Sequence, residues 1–212
     1  MKKYIAIGLK KHPWGLLSLR TFHLRHYLKK LGWFRSAKLN KPVDTNGNPI
    51  PWITYSSLRF IESRVSNNHR VFEFGSGNST LWWQDRVASV VAVEHDKYWH
   101  AEMLPALADN VEYILEQDPI NYSSAVGASD SRYHIIIIDG IDRNRCAEMA
   151  IQKLYDDGVI IWDDTDYDEF VRGTKLIEEH GFRRLDFWGL GPITWSDGCT
   201  SIFYREKNCL GI

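Results

Sequence analysis

Residues 71–80 read VFEFGSGNST. Val71 to Phe74 is short and apolar, as a strand covered on both faces must be. It runs into Gly75-Ser76-Gly77, and a helix is expected to open at Asn78 or Ser79. Glycines let the backbone turn tightly and approach a ligand closely. The helix N-terminus that follows offers free N–H groups. Such a unit begins a doubly wound α/β fold, but many nucleotide-binding proteins share it. Two residues narrow the choice. Glu73 places a carboxylate two residues before the first glycine, where it would repel a pyrophosphate and attract a ligand ammonium. Thr80 stands where a dinucleotide fingerprint carries its third glycine.

Downstream, strand and helix alternate. Strands are expected at Arg70–Phe74, Ser89–Glu94, Val111–Leu115, Tyr133–Asp139 and Gly158–Asp163. Helices are expected near Ser79–Val87, Tyr98–Ala108 and Asn144–Tyr155. This order predicts a doubly wound, mainly parallel sheet. A last helix over Tyr167 to His180 precedes two strands, Phe182–Trp188 and Thr200–Tyr204, joined only by the loop GLGPITWSDG. Without a crossover helix these two pair antiparallel.

Upstream, Thr54 to Val65 reads as a helix with Leu58 and Ile61 inward, and Asn40 to Pro51 as a loop rich in Pro, Asn and Gly. From Gly15 to Leu31, Leu24, Tyr27, Leu28 and Leu31 fall at helical spacing opposite Arg25, Lys29 and Lys30, an amphipathic helix. Two units follow: a basic N-terminal arm and loop over 1–50, and an α/β domain over 51–212. The 212-residue chain has a net charge of −1 that hides an asymmetry. Residues 1–43 carry 11 Lys+Arg and no acid, leaving 15 basic against 27 acidic residues in the rest. Such an arm can meet a membrane surface or polyanion, or fold back on the acidic body. Three cysteines at no metal-binding spacing read as reduced thiols of a cytoplasmic protein. Lys10 and Lys11 cut the apolar run before them short of a signal-peptide core.

The second strand ends in Glu94, 17 residues after Gly77, where a carboxylate can accept both ribose hydroxyls of an adenosine. His95 follows it and fits the adenosine edge. The third strand leads to Gln117 and Asp118, an amide and an acid within reach of an adenine amino group. The segments EFGSGNST, VVAVEHD, IIIIDG and DDGVIIWDD resemble the successive motifs of class I S-adenosylmethionine-dependent methyltransferases. Bacterial small-molecule and sugar O-methyltransferases with an IDG…GGVIILDD ending are the most similar. The likeness covers about Trp52 to Tyr204. It implies a Rossmann-like sheet of seven strands ordered 3-2-1-4-5-7-6 with strand 7 antiparallel. It also implies that Glu73, Gly75 and Gly77 hold the methionine end of S-adenosylmethionine, with Ser76, Asn78, Ser79 and Thr80 completing the turn. Glu94 would hold the ribose, and Asp118 the adenine.

Asp139, Asp163 and Asp164 end the fourth and fifth strands on the same rim. Three carboxylates there can bind Mg²⁺. Catechol-type O-methyltransferases place an Asp and an Asp-Asn pair at matching points, but this chain has Asp164 for the Asn and Asp142 for a catalytic Lys. Without metal, Asp139 orients the methyl donor, and Asp142, Asp164 or a histidine serves as general base. Asp163 can instead cap the next helix. Trp52, Tyr55, Trp82 and Trp83 read as core aromatics, with Trp52 also placed to line an acceptor pocket. Trp188 and Trp195 flank the terminal loop, a candidate lid. The leading expectation is O-methylation of a small-molecule or glycan hydroxyl. The alternatives are a nucleic-acid-associated methyltransferase or adaptor using the basic arm, and a catalytically silent S-adenosylmethionine-binding module. The acidic body disfavours a nucleic-acid partner.

Overall fold

The computed structural model describes residues 23–212. Its strands are β1 (Arg70–Phe74), β2 (Ser89–Glu94), β3 (Val111–Leu115), β4 (Tyr133–Ile138), β5 (Leu154–Trp162), β6 (Arg183–Gly189) and β7 (Gly198–Tyr204). They form one seven-stranded sheet ordered β3-β2-β1-β4-β5-β7-β6. β7 runs antiparallel to both of its neighbours, β5 and β6, and the other pairings are parallel. Both the order and the antiparallel seventh strand are those expected from the sequence.

Alternate residues of the central strands go to opposite faces, as period-2 geometry requires. Val71, Ile135, Ile137, Val159, Ile161 and Ile202 bury on one face against Trp82, Trp83, Leu58 and Ile61. Phe72, Phe74, Ile136, Ile138, Ile160 and Phe203 bury on the other against Tyr122, Cys146, Ala147 and Ile177. Each fully buried large side chain contributes roughly 1.5–3 kcal/mol relative to exposure. Both faces being covered explains why these strands read as continuous apolar runs.

The helices are α1 (residues 23–31), α2 (Trp33–Leu39), α3 (Tyr55–Glu62), α4 (Asn78–Gln84), α5 (Lys97–Met103), α6 (Pro119–Ser124), α7 (Arg143–Lys153) and α8 (Val171–Glu179). Thr54 caps α3 by accepting from the Ser57 N–H, and Asp96 caps α5 by accepting from Tyr98 and Trp99. The sequence did not mark α2 or α6, which have seven and six residues and are too short to show a periodic stripe. In α6 the local signal was an Asp118 cap before Pro119 at the first turn. β5 starts at Leu154 rather than Gly158, because Leu154 already pairs with Tyr133 ahead of a register shift. Within α1, Leu28 and Leu31 pack on the core while Leu24 and Tyr27 are exposed. The rest of the predicted amphipathic helix, residues 15–22, and the Met1–Leu9 run lie outside the described residues. Among the described residues no helix is long and apolar enough to cross a membrane.

Residues 33–50 lie against the α/β domain. Trp33 and Ile50 are buried in the core cluster of β1 and β4. The Trp33 indole donates to the Thr194 carbonyl at 2.9 Å, and its ring meets Trp195 edge-on at 4.7 Å. One tryptophan thereby props the β6–β7 loop from below.

Candidate active site

The turn after β1 is built by close approach. Gly75 has φ +96°, and a Cβ there would lie 3.1 Å from the Asp139 carbonyl oxygen. Its N–H donates to the Val93 carbonyl at 3.0 Å, which pins the turn to β2. Thr80 closes the turn from inside. Its hydroxyl accepts from the Gly77 N–H at 3.1 Å and donates to Glu73 at 2.5 Å. The residue in the place of a third glycine is therefore an internal brace. Glu73 itself is 1% exposed, and burial pushes its carboxyl up to about 8. It faces Thr80 beneath the turn and not the cleft.

Glu94, also buried, ends β2 with both oxygens engaged. Oε1 accepts from the N–H groups of His95 at 2.8 Å and Asp96 at 2.9 Å, and Oε2 accepts from the Ser76 hydroxyl at 2.7 Å. Ser76 is also 2.7 Å from the Tyr113 hydroxyl, and its carbonyl accepts from the Trp99 indole at 2.9 Å. The carboxylate at the end of β2 is thus wired directly to the glycine turn of β1. The half-exposed His95 ring lies 3.1 Å from Glu94 Oε1.

A cleft of about 810 Å³ opens beside this turn. Ser76, Gly77, Asn78, Ser79 and Trp99 form one end, and Asp139, Arg143, Asp163, Asp164, Asp166 and Tyr167 another. Asn40–Pro42, Trp52 and the β6–β7 loop complete its walls. The Asn78 amide donates to the Pro42 carbonyl at 2.5 Å, which attaches the N-terminal segment to the turn. Trp52 lines the cleft and is half exposed, and Trp195 is exposed on the adjoining loop.

The structure brings only part of the residues singled out from sequence to the cleft, and Glu73, Gly75, Thr80, Glu94 and His95 are not among those that line it. Ser76 to Ser79, Asp139 and Asp164 share the cleft. Gln117 and Asp118 lie exposed past the end of β3, outside its walls, where Asp118 accepts from the N–H groups of Ile120 and Asn121. Asp142 does not join them. It has φ +47° at the start of α7 and lines a neighbouring hollow that shares Arg143, Asp164 and Tyr167 with the cleft.

The residue that sequence reasoning missed is Arg143. Its guanidinium donates to Asp139 at 3.0 Å and to Asp164 at 3.1 Å. The available signal was an acid and a base four apart across the start of a helix. Asp163 accepts from the Thr200 hydroxyl. Burial raises the Asp139 carboxyl to about 7, with Arg143 pulling it down and Asp164 pushing it up. Asp163 is raised well above the usual carboxylate range by burial and by the same two acids.

The β4 rim also constrains the turn. A Cβ on Gly140 would lie 1.9 Å from the hydroxyl of fully buried Tyr122 and 3.0 Å from the Gly75 nitrogen. Gly140→Ala is expected to lower stability by about 1–3 kcal/mol, the usual cost of overpacking. Urea unfolding with an unchanged midpoint would show that the rim yields.

No protein-family model matches this chain, and no curated protein sequence matches it. Solved structures do. A precorrin-6y C5,15-methyltransferase from Geobacter metallireducens superposes with a TM-score of 0.57 at 12% identity, over 71% of this chain and 87% of that one. A precorrin 8w decarboxylase from Methanobacterium thermoautotrophicum gives 0.54 at 20% identity, over 74% and 92%. The O-methyltransferase TomG from Streptomyces achromogenes, solved with S-adenosylmethionine, gives 0.54 at 16% identity, over 71% and 79%. This chain has the class I methyltransferase fold. Within that fold, ligands gather outside the carboxyl ends of the strands. The Gly75 turn and Asp139 stand at those ends, at the junction where the order reverses between β1 and β4, and Glu94 ends the adjacent strand β2.

Proposed function

We propose that this chain binds S-adenosylmethionine across the β1 and β2 strand ends and transfers its methyl group to a small-molecule or glycan hydroxyl. The observation that carries this reading is the joined pair of Glu94 and the Gly75–Gly77 turn beside a cleft that ends in carboxylates. Bound there, S-adenosylmethionine supplies a methyl group activated on a sulfonium. The turn between Gly75 and Thr80 would hold its methionine end, with Glu94 accepting from ribose hydroxyls. His95, Gln117 and Asp118 would border the adenine. Asp139 and Asp164 would hold the acceptor and receive its proton.

The donor set does not fit a resident Mg²⁺. One oxygen of Asp139 and one of Asp164 already accept from the Arg143 guanidinium, and one of Asp163 from Thr200, so a positive charge stands where the ion would. The carboxylates are therefore assigned the proton, with no step through a metal.

Replacing Glu94 by Ala is expected to weaken S-adenosylmethionine binding by about 1.5–3 kcal/mol, as for hydrogen bonds to charged groups. Unchanged affinity in calorimetry would remove the ribose assignment. A nucleic-acid acceptor is the second reading, and what favours it is the 11 Lys+Arg of residues 1–43. Against it, five aspartates line the cleft: Asp139, Asp163, Asp164, Asp166 and Asp197. RNA binding whose affinity falls steeply with salt would favour the second reading.

A further inference from the structure

We infer that the Arg143 guanidinium takes the place of a divalent cation among Asp139, Asp163 and Asp164, so that the cleft is built to work without metal. One oxygen from each of the three carboxylates falls within 4.8 Å of the others, a spacing that can hold an ion. The cationic centre at this cluster is instead protein. Arg143 Nη2 donates to Asp139 at 3.0 Å and Nη1 to Asp164 at 3.1 Å. Its Nε donates to the Gly140 carbonyl at 2.9 Å, and Nη1 also to the Asp163 carbonyl at 2.8 Å.

Two of these four bonds go to backbone just past β4 and β5. The charge is therefore aimed by the sheet itself. The side chain is 14% exposed, with its charged end 5.2 Å from the Phe170 ring. Swinging out would break all four bonds. Arginine suits this place because its planar fork serves two carboxylates at once and its charge does not depend on pH. A lysine would be a point charge with no fork. An entering Mg²⁺ would meet a fixed positive charge already bonded to one oxygen of Asp139 and one of Asp164.

This inference concerns the metal and stands apart from the identity of the methyl donor. Its test uses Mn²⁺ alone, read by electron paramagnetic resonance on the whole chain without substrate. At about 1 mM Mn²⁺, in the range of weak carboxylate sites, the wild type is expected to bind none in the cleft. Arg143→Ala is expected to gain one bound Mn²⁺ per chain, which Asp164→Asn in the same background removes. Arg143→Gln, which keeps most of the side chain's length, carries the same readout if the alanine variant fails to fold. Mn²⁺ bound by the wild type and lost in Asp139→Asn would overturn the inference. So would a folded Arg143→Ala or Arg143→Gln that binds none.

Discussion

Asp139→Ala and Asp164→Ala are each expected to lower turnover by roughly 10²–10⁴-fold, the usual contribution of a positioned proton acceptor, while affinity for the methyl donor changes far less. Methyl transfer to a hydroxyl needs the two partners aligned and one proton removed. Positioning supplies several kcal/mol by itself. Among the described residues, Asp139, Asp163 and Asp164 are the group of acids gathered closely enough to share an ion or a proton. The asparagine variants separate charge from shape, because they keep a partner for Arg143.

The pH profile carries the same information. Burial raises the Asp139 carboxyl to about 7. A base works only when ionised, so turnover is expected to rise with pH through that value and to fall on the acid side. Asp139→Asn should remove or displace this limb. Folding responds with the opposite sign. An acid whose carboxyl is raised binds its proton more tightly in the native state, so its contribution to stability is full at low pH. That contribution diminishes as pH rises from about 4 towards 7. Single-turnover rates that stay at the wild-type level in both alanine variants would move acceptor activation elsewhere.

Trp33→Ala is expected to cost about 3–5 kcal/mol, as for other large-to-small core changes. For a chain of this size that lowers the melting temperature by roughly 6–20 °C. The indole is 6% exposed, donates to Thr194 and packs on Trp195. The loop it props contains Ile193 at φ +69°, a conformation that a β-branched residue holds only when its surroundings impose it. Removing the prop should free the cleft wall at Gly191, Thr194 and Ser196. Affinity for the acceptor should then fall more than affinity for the donor. Trp33→Phe keeps the aromatic packing and loses the hydrogen bond, at a net cost of about 1 kcal/mol. A wild-type melting curve for Trp33→Ala would show that residues 33–50 do not hold this wall.

The parallel strands were legible because burial on both faces writes itself as runs such as HIIIID, and the turn because Gly75 is needed by a local conformation. Glu94 was legible from its spacing, since a strand of fixed rise carries it to the same edge as the turn. What stayed hidden depends on tertiary placement. Asp142 is next to Arg143 in sequence, yet with its left-handed backbone it lines only the adjoining hollow, while Arg143 lines both that hollow and the cleft. Glu73 reads as a crevice residue, but Thr80 draws it beneath the turn. The wall at Asn40–Pro42 comes from a loop with no periodic pattern, and tertiary contacts such as the Asn78–Pro42 bond set its position.

An adenosyl ligand of the methyl-donor class, and no dinucleotide, is proposed to occupy the β1–β2 strand ends. Titration calorimetry with S-adenosylhomocysteine and NAD on the wild-type chain tests it most directly. One S-adenosylhomocysteine per chain and no heat from NAD are expected. Binding of NAD with no heat from S-adenosylhomocysteine would contradict it.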